Sequence, residues 1–76
     1  MMTTALLDHE KLIKAMEVTD LTQEELAEEI GITDRHVRNL REKDTDVSAS
    51  LLYRMSQVFQ IPMENLLILR EEEAAE

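Results

Sequence analysis

The sequence predicts an all-α fold, a compact bundle of about five short helices. Three observations predict it. Apolar residues recur at helical spacing through most of the 76 residues. Serine and threonine residues stand where helix N-caps are expected. The single glycine separates two short amphipathic segments, a pattern typical of a helix-turn-helix.

The first helix is predicted over residues 6–18, with Leu12, Ile13 and Met16 facing inward. Asp20 falls in the turn that follows. This turn leads directly into the motif that contains the glycine.

The second helix begins with a capping box, in which the Thr22 hydroxyl accepts from the Glu25 amide and the Glu25 carboxylate accepts from the Thr22 amide. Its apolar face is formed by Leu26, Ala27 and Ile30. Gly31 is expected to end the helix in a left-handed conformation, which a residue without a Cβ adopts at little cost.

The third helix is predicted to begin after Thr33 as the N-cap, with Val37 and Leu40 pointing inward. Six polar residues remain on the outside: Asp34, Arg35, His36, Arg38, Asn39 and Arg41. These residues are the candidate surface for recognising a partner.

Ser48 is predicted to cap the fourth helix. The apolar face of that helix comprises Leu52, Met55 and Phe59, and Leu51 and Val58 flank that face. Pro62 closes it and suits the entry to a fifth helix over residues 64–69. Residues 1–70 are therefore predicted to form one domain, with residues 71–76 as an acidic, frayed tail.

Charge is distributed unevenly along the chain. The net charge is −9, which by itself opposes binding to a polyphosphate. Residues 1–34 carry −7 and residues 44–76 carry −5, whereas residues 35–43 carry +3. The only positive segment is therefore the third helix and the turn after it.

Composition favours a binding module over an enzyme. A chain of this size has too small a core for a deep catalytic cleft, and the glutamates of the second helix are explained as a solvated face. The absence of cysteine excludes thiolate metal sites, and the neighbours of His9 do not give ligand spacing with a second histidine. We expect no cofactor and no metal. Without a basic leader or a long apolar span, we expect a soluble cytoplasmic protein with no membrane contact.

Residues 12–67 resemble the lambda-repressor-like family of phage and bacterial regulators, also called the Xre/Cro family. The residues that carry the resemblance are Leu21, Gln23, Glu25, Leu26, Ala27, Ile30, Gly31, Ile32, Thr33, Val37, Leu40, Leu52, Met55, Phe59, Ile61 and Leu66. The resemblance implies a transcriptional regulator that binds double-stranded DNA and reads the major groove with its third helix.

The resemblance also assigns roles to individual residues. Gln23 is placed at a phosphate, and Thr33 belongs to the same predicted DNA-binding surface. The residues placed at base edges are Asp34, Arg35, His36 and Asn39. Arginine suits guanine, asparagine suits adenine and aspartate suits the cytosine amino group. The residues expected at phosphates are Arg38, Arg41 and Lys43.

The chain departs from the family pattern in three places. An ion pair common in the family is missing, because its positions hold Met16 and Arg41. Lys43 replaces a glycine common after the third helix, which requires a different backbone conformation at this corner. The second helix carries three glutamates that would repel DNA: Glu24, Glu28 and Glu29.

The run from Leu66 to Leu69 is too apolar for one buried helical stripe. It predicts a homodimer interface at Leu67, Ile68 and Leu69. The alternative is that the run covers the end of the first helix.

Two functions follow from these patterns. The first is a sequence-specific DNA-binding regulator that acts as a homodimer. The alternative is a protein-interaction module, an antitoxin or regulator subunit whose acidic surface binds a basic protein partner.

Overall fold

The computed structural model describes residues 2–72. Within that range it contains four α-helices, one short 3-10 helix and two strands. In chain order these are β1 (Met2–Leu7), α1 (His9–Thr19), α2 (Gln23–Ile30), α3 (Asp34–Leu40), α4 (Ala49–Phe59), the 3-10 helix (Met63–Leu66) and β2 (Leu67–Glu72).

The prediction of an all-α bundle of five helices is wrong at both ends of the chain. The strands β1 and β2 form a two-stranded antiparallel sheet, with Leu7 opposite Leu67 and Met2 opposite Glu72. The predicted fifth helix, residues 64–69, is instead the 3-10 helix followed by β2. Short apolar runs fit a strand as well as a helix, so long-range pairing decides which one forms.

Helix α1 begins three residues later than predicted, because Asp8 is its N-cap. The Asp8 carboxylate accepts from the amides of Glu10 and Lys11. The helix ends at Thr19, and the C-cap residue Asp20 is left-handed with φ 58°. The residue before the cap, Leu7, belongs to β1.

The helix-turn-helix has the predicted local signals. The Thr22 amide donates to Glu25 Oε1 at 2.9 Å, and the Glu25 amide donates to Thr22 Oγ1 at 3.1 Å, so the capping box is confirmed. Gly31 is left-handed with φ 75° and ends α2. Thr33 Oγ1 accepts from the His36 amide and starts α3. A turn of three residues therefore joins the two helices.

One hydrophobic core joins the helices to the base of the sheet. Its buried members are Leu7, Leu12, Met16, Leu26, Ala27, Ile30, Val37, Leu40, Leu51, Leu52, Met55, Phe59 and Leu66. The inward positions predicted for α2 and α3 are confirmed, whereas Ile13 of α1 is only half-buried.

None of the helices in residues 2–72 is long and apolar enough to cross a membrane. Of the predicted acidic tail, the first two residues belong to β2, and residues 73–76 lie outside the described part of the chain.

Candidate nucleic-acid interface

Helix α3 presents a polar face to solvent, and its opposite face packs into the hydrophobic core. Val37 and Leu40 are at most 1% exposed, which fixes the rotation of the helix about its axis. The exposed residues of this face are Asp34, Arg35, His36, Arg38 and Asn39. The residues predicted to contact bases therefore lie together on one accessible surface.

Three predicted DNA-contacting residues are already bonded to one another. The Gln23 side-chain amide donates to Asp34 Oδ1 at 2.9 Å, and Gln23 Oε1 accepts from Arg41 Nη1 at 2.9 Å. Gln23 is the first residue of α2, Asp34 opens α3 and Arg41 follows its end. This chain of hydrogen bonds joins the start of α2 to both ends of α3 and helps to fix the angle between the two helices.

The corner after α3 differs from the family pattern, as the sequence indicates. Arg41 has φ −84° and ψ −9°, and neither Glu42 nor Lys43 has a positive φ. Arg41 shares a surface pocket with Met16, the other position of the missing ion pair. Its guanidinium bonds to the Gln23 amide instead of a carboxylate, and Arg41 Nε is buried without a hydrogen-bond partner among the described residues.

A surface groove of about 400 Å³ runs beside the C-terminal half of α3. His36, Asn39 and Lys43 all line it. The structure thus brings two predicted base-contacting residues beside a predicted phosphate-contacting lysine.

Charges on the neighbouring helix oppose this surface. Glu24, Glu28 and Glu29 of α2 are all exposed. Asp34 bonds to Gln23, and no Asp34–Arg38 ion pair forms within residues 2–72. Arg38 is exposed on the outer face of α3.

The residues predicted for a dimer interface lie on β2. Leu67 and Ile68 are half-buried, and Leu67 packs against the core. Leu69 is 67% exposed and stands opposite the exposed Ala5 of β1. Part of the apolar run thus covers the domain, while Leu69 remains uncovered.

Sequence reasoning missed a polar cluster between α1, the loop after α3, and β2. His9 Nδ1 lies 2.6 Å from Asp44 Oδ1, and Arg70 donates to Asp44 Oδ2 at 3.0 Å. Asp8, His9 and Asp44 have potential ligand atoms within 4.8 Å of one another. However, Asp8 already caps α1, and the Arg70 guanidinium beside Asp44 disfavours a cation, so an ion-pair network explains the cluster.

This cluster predicts a pH dependence of stability. The hydrogen bond with Asp44 raises the pKa of His9, and the same contact lowers the pKa of Asp44. The stabilisation by protonated His9 is therefore complete below about pH 6.5 and is lost as the pH rises through its raised pKa. The contribution of Asp44 is present above its ordinary pKa and is lost as the pH falls through its lowered pKa.

The wild type should lose stability as the pH rises from mildly acidic to mildly alkaline. We expect His9→Gln to remove this loss. Urea unfolding midpoints at both pH values measure this effect. His36→Gln is the matched control, because His36 is exposed on α3 outside the cluster. If His9→Gln and the wild type lose the same stability as the pH rises, the cluster does not carry the pH dependence.

The fold and the exposed polar face of α3 define the class of helix-turn-helix proteins. Comparison with known protein families matches the family described as "Helix-turn-helix" over residues 11–66, which is more than half of the chain. The chain therefore belongs to the Xre, lambda-repressor-like helix-turn-helix family. This is a family of DNA-binding domains and not of enzymes. No curated protein matches the chain.

Proposed function

We propose that the protein is a sequence-specific transcriptional regulator that reads the major groove of double-stranded DNA with α3. The observation that carries this proposal is the polar face of α3, held outward by two buried residues within the only positive segment of the chain. Family membership supports DNA binding by a regulator of this type.

The chemistry of α3 divides into recognition and positioning. Arg35 donates in a bidentate manner to guanine, and Asn39 pairs with the N6 and N7 atoms of adenine. Asp34 accepts from the cytosine amino group through Oδ2, because Oδ1 accepts from Gln23. Arg38 and Lys43 contact phosphates and position the helix without reading sequence.

We also propose a homodimer formed through the sheet. Apart from the bridge between Leu7 and Thr45, the outer edges of β1 and β2 have no backbone partner within the described residues. An isolated two-stranded sheet is marginally stable, and an open edge is a template for pairing with a second copy. Antiparallel pairing of β2 with its copy would cover Leu69. A dimer that reads two successive half-sites has to hold its two copies of α3 about 34 Å apart.

We expect Leu69→Glu to weaken the dimer at least about tenfold, because it places a charge in the proposed interface. Tyr53→Glu is the control, since Tyr53 is 56% exposed on α4 and receives the same change in charge. Sedimentation equilibrium over a range of concentrations measures both. A dimer that is equally strong in the two variants would place the interface elsewhere.

Selection from a randomised duplex DNA library at low and moderate salt tests the function itself. We expect enrichment of a motif with two related half-sites. Enrichment of single half-sites would support DNA reading by a monomer. No enrichment at either salt would overturn the proposal.

The exposed glutamates of α2 favour a second candidate, a surface for a basic protein partner. Joint replacement of Glu28 and Glu29 by glutamine separates the two candidates. A DNA-binding surface should gain affinity for DNA, because two repulsive charges are removed. A protein-binding surface should instead lose affinity for its partner.

A further inference from the structure

A groove on the side of the domain formed by α1 has no role in the proposed DNA contact. It lies between α1 and the segment that joins α4 to the 3-10 helix, and its volume is about 290 Å³. The apolar part of its lining comprises Ala15, Val18, Phe59 and Ile61. No residue of α2 or α3 lines it.

The apolar part combines a fixed floor with an uncovered wall. Phe59 is 4% exposed and belongs to the core, so the floor of the groove is held by the packing of the domain. Val18 is 77% exposed, the largest exposure among the large hydrophobic residues of the described chain. A small apolar ligand seated here would cover surface that the chain itself leaves in water.

Two lysines edge this apolar surface. Lys11 and Lys14 are the only lysine or arginine residues among residues 1–34, and both line the groove. Lys11 Nζ donates to the Leu67 carbonyl at 2.8 Å, which holds the side chain in place and leaves further donors on the ammonium group. Lys14 is exposed and belongs to neither ion pair found among the described residues.

We propose that this groove binds a small amphiphilic carboxylate. The carboxylate lies between Lys11 and Lys14, and its apolar tail covers Val18 and contacts Phe59 and Ile61. Positive charge beside an apolar groove, in a chain of −9, is complementary to an anion with an apolar tail. The volume of about 290 Å³ is near the lower limit of small-molecule pockets, which favours a small ligand.

Octanoate is the probe, with octylamine and octanol as ligands of matched length and different charge. Methyl NMR spectra report on Ala15, Val18 and Ile61 during each titration. We expect saturable shifts of these methyls with octanoate, at an affinity on the order of a millimolar. Octylamine should bind at least about tenfold more weakly, because its ammonium group is repelled by the lysines.

Two variants locate the site. Lys14→Gln should weaken octanoate binding several-fold, whereas Lys43→Gln, which removes a lysine beyond the groove, should leave it unchanged. Ala15→Leu fills the groove and should abolish the saturable shifts, and its own methyl spectrum shows whether the domain remains folded.

Several results would overturn the proposal. These are the absence of saturable shifts, equal binding of octanoate and octylamine, equal effects of the two lysine variants, and shifts centred on Leu69 instead of Val18. The test does not depend on DNA binding, because the groove shares no residue with α2 or α3.

Discussion

Leu7→Ala is expected to lower the free energy of unfolding by about 2–5 kcal/mol. Leu7 is fully buried in the core, although it is the last residue of a strand. Its backbone also exchanges two hydrogen bonds with Thr45, at 2.8 and 3.2 Å. Truncation leaves a cavity where β1, the loop after α3 and the helices meet. Urea unfolding followed by circular dichroism measures the loss.

Leu69→Ala is the matched control for this prediction. It removes the same atoms from a residue of the partner strand that is 67% exposed, and should change stability by no more than about 0.5 kcal/mol. Both variants should be measured at a low protein concentration, so that self-association does not contribute. Similar small losses in both would mean that β1 is not packed onto the core.

Arg35→Ala should cost about 1–3 kcal/mol of binding free energy on the selected site and relax the preference at one base pair. Arg35 is exposed on α3, so its removal leaves the core intact. Binding to the selected duplex and to duplexes with single base-pair changes measures both effects. The preferred base should lose its advantage at one position only.

Arg38→Ala is the control for a phosphate contact, because Arg38 is exposed on the same helix. It should weaken binding to all sequences alike. The slope of log affinity against log salt concentration should become shallower by about one, because one fewer counterion is released on binding. Arg41→Ala should also weaken all sequences, but it is a less direct test because Arg41 donates to Gln23. Equal, sequence-independent losses from Arg35→Ala and Arg38→Ala would contradict the division between recognition and positioning.

The helix-turn-helix was predictable because its signals are local. A capping box at Thr22 and Glu25, a left-handed glycine and an N-cap threonine each act over a few residues, and all three form as predicted. The exposure of Asp34, Arg35, His36, Arg38 and Asn39 follows from the same helical spacing. Arg41 is also predicted to lie outside, but it is half-buried and donates to Gln23.

The sheet and the polar contacts depend on residues far apart in the chain. Pairing of β1 with β2 brings together residues 2–7 and 67–72, and no local pattern specifies that partner. His9 and Asp44 are likewise 35 residues apart. The link from Gln23 to Asp34 and Arg41 requires the angle between α2 and α3, which depends on the packing of the whole core.

The same pairing sets an order of events in folding. Each strand lies outside the helical part of the chain, so the sheet closes a loop that contains all four α-helices. The entropic cost of closing this loop must be met before the strands can pair, and contacts between residues far apart in the sequence form slowly. We therefore expect α2 and α3 to associate first and the sheet to form last. Amide hydrogens of the sheet should then gain protection from exchange after those of the helices during refolding.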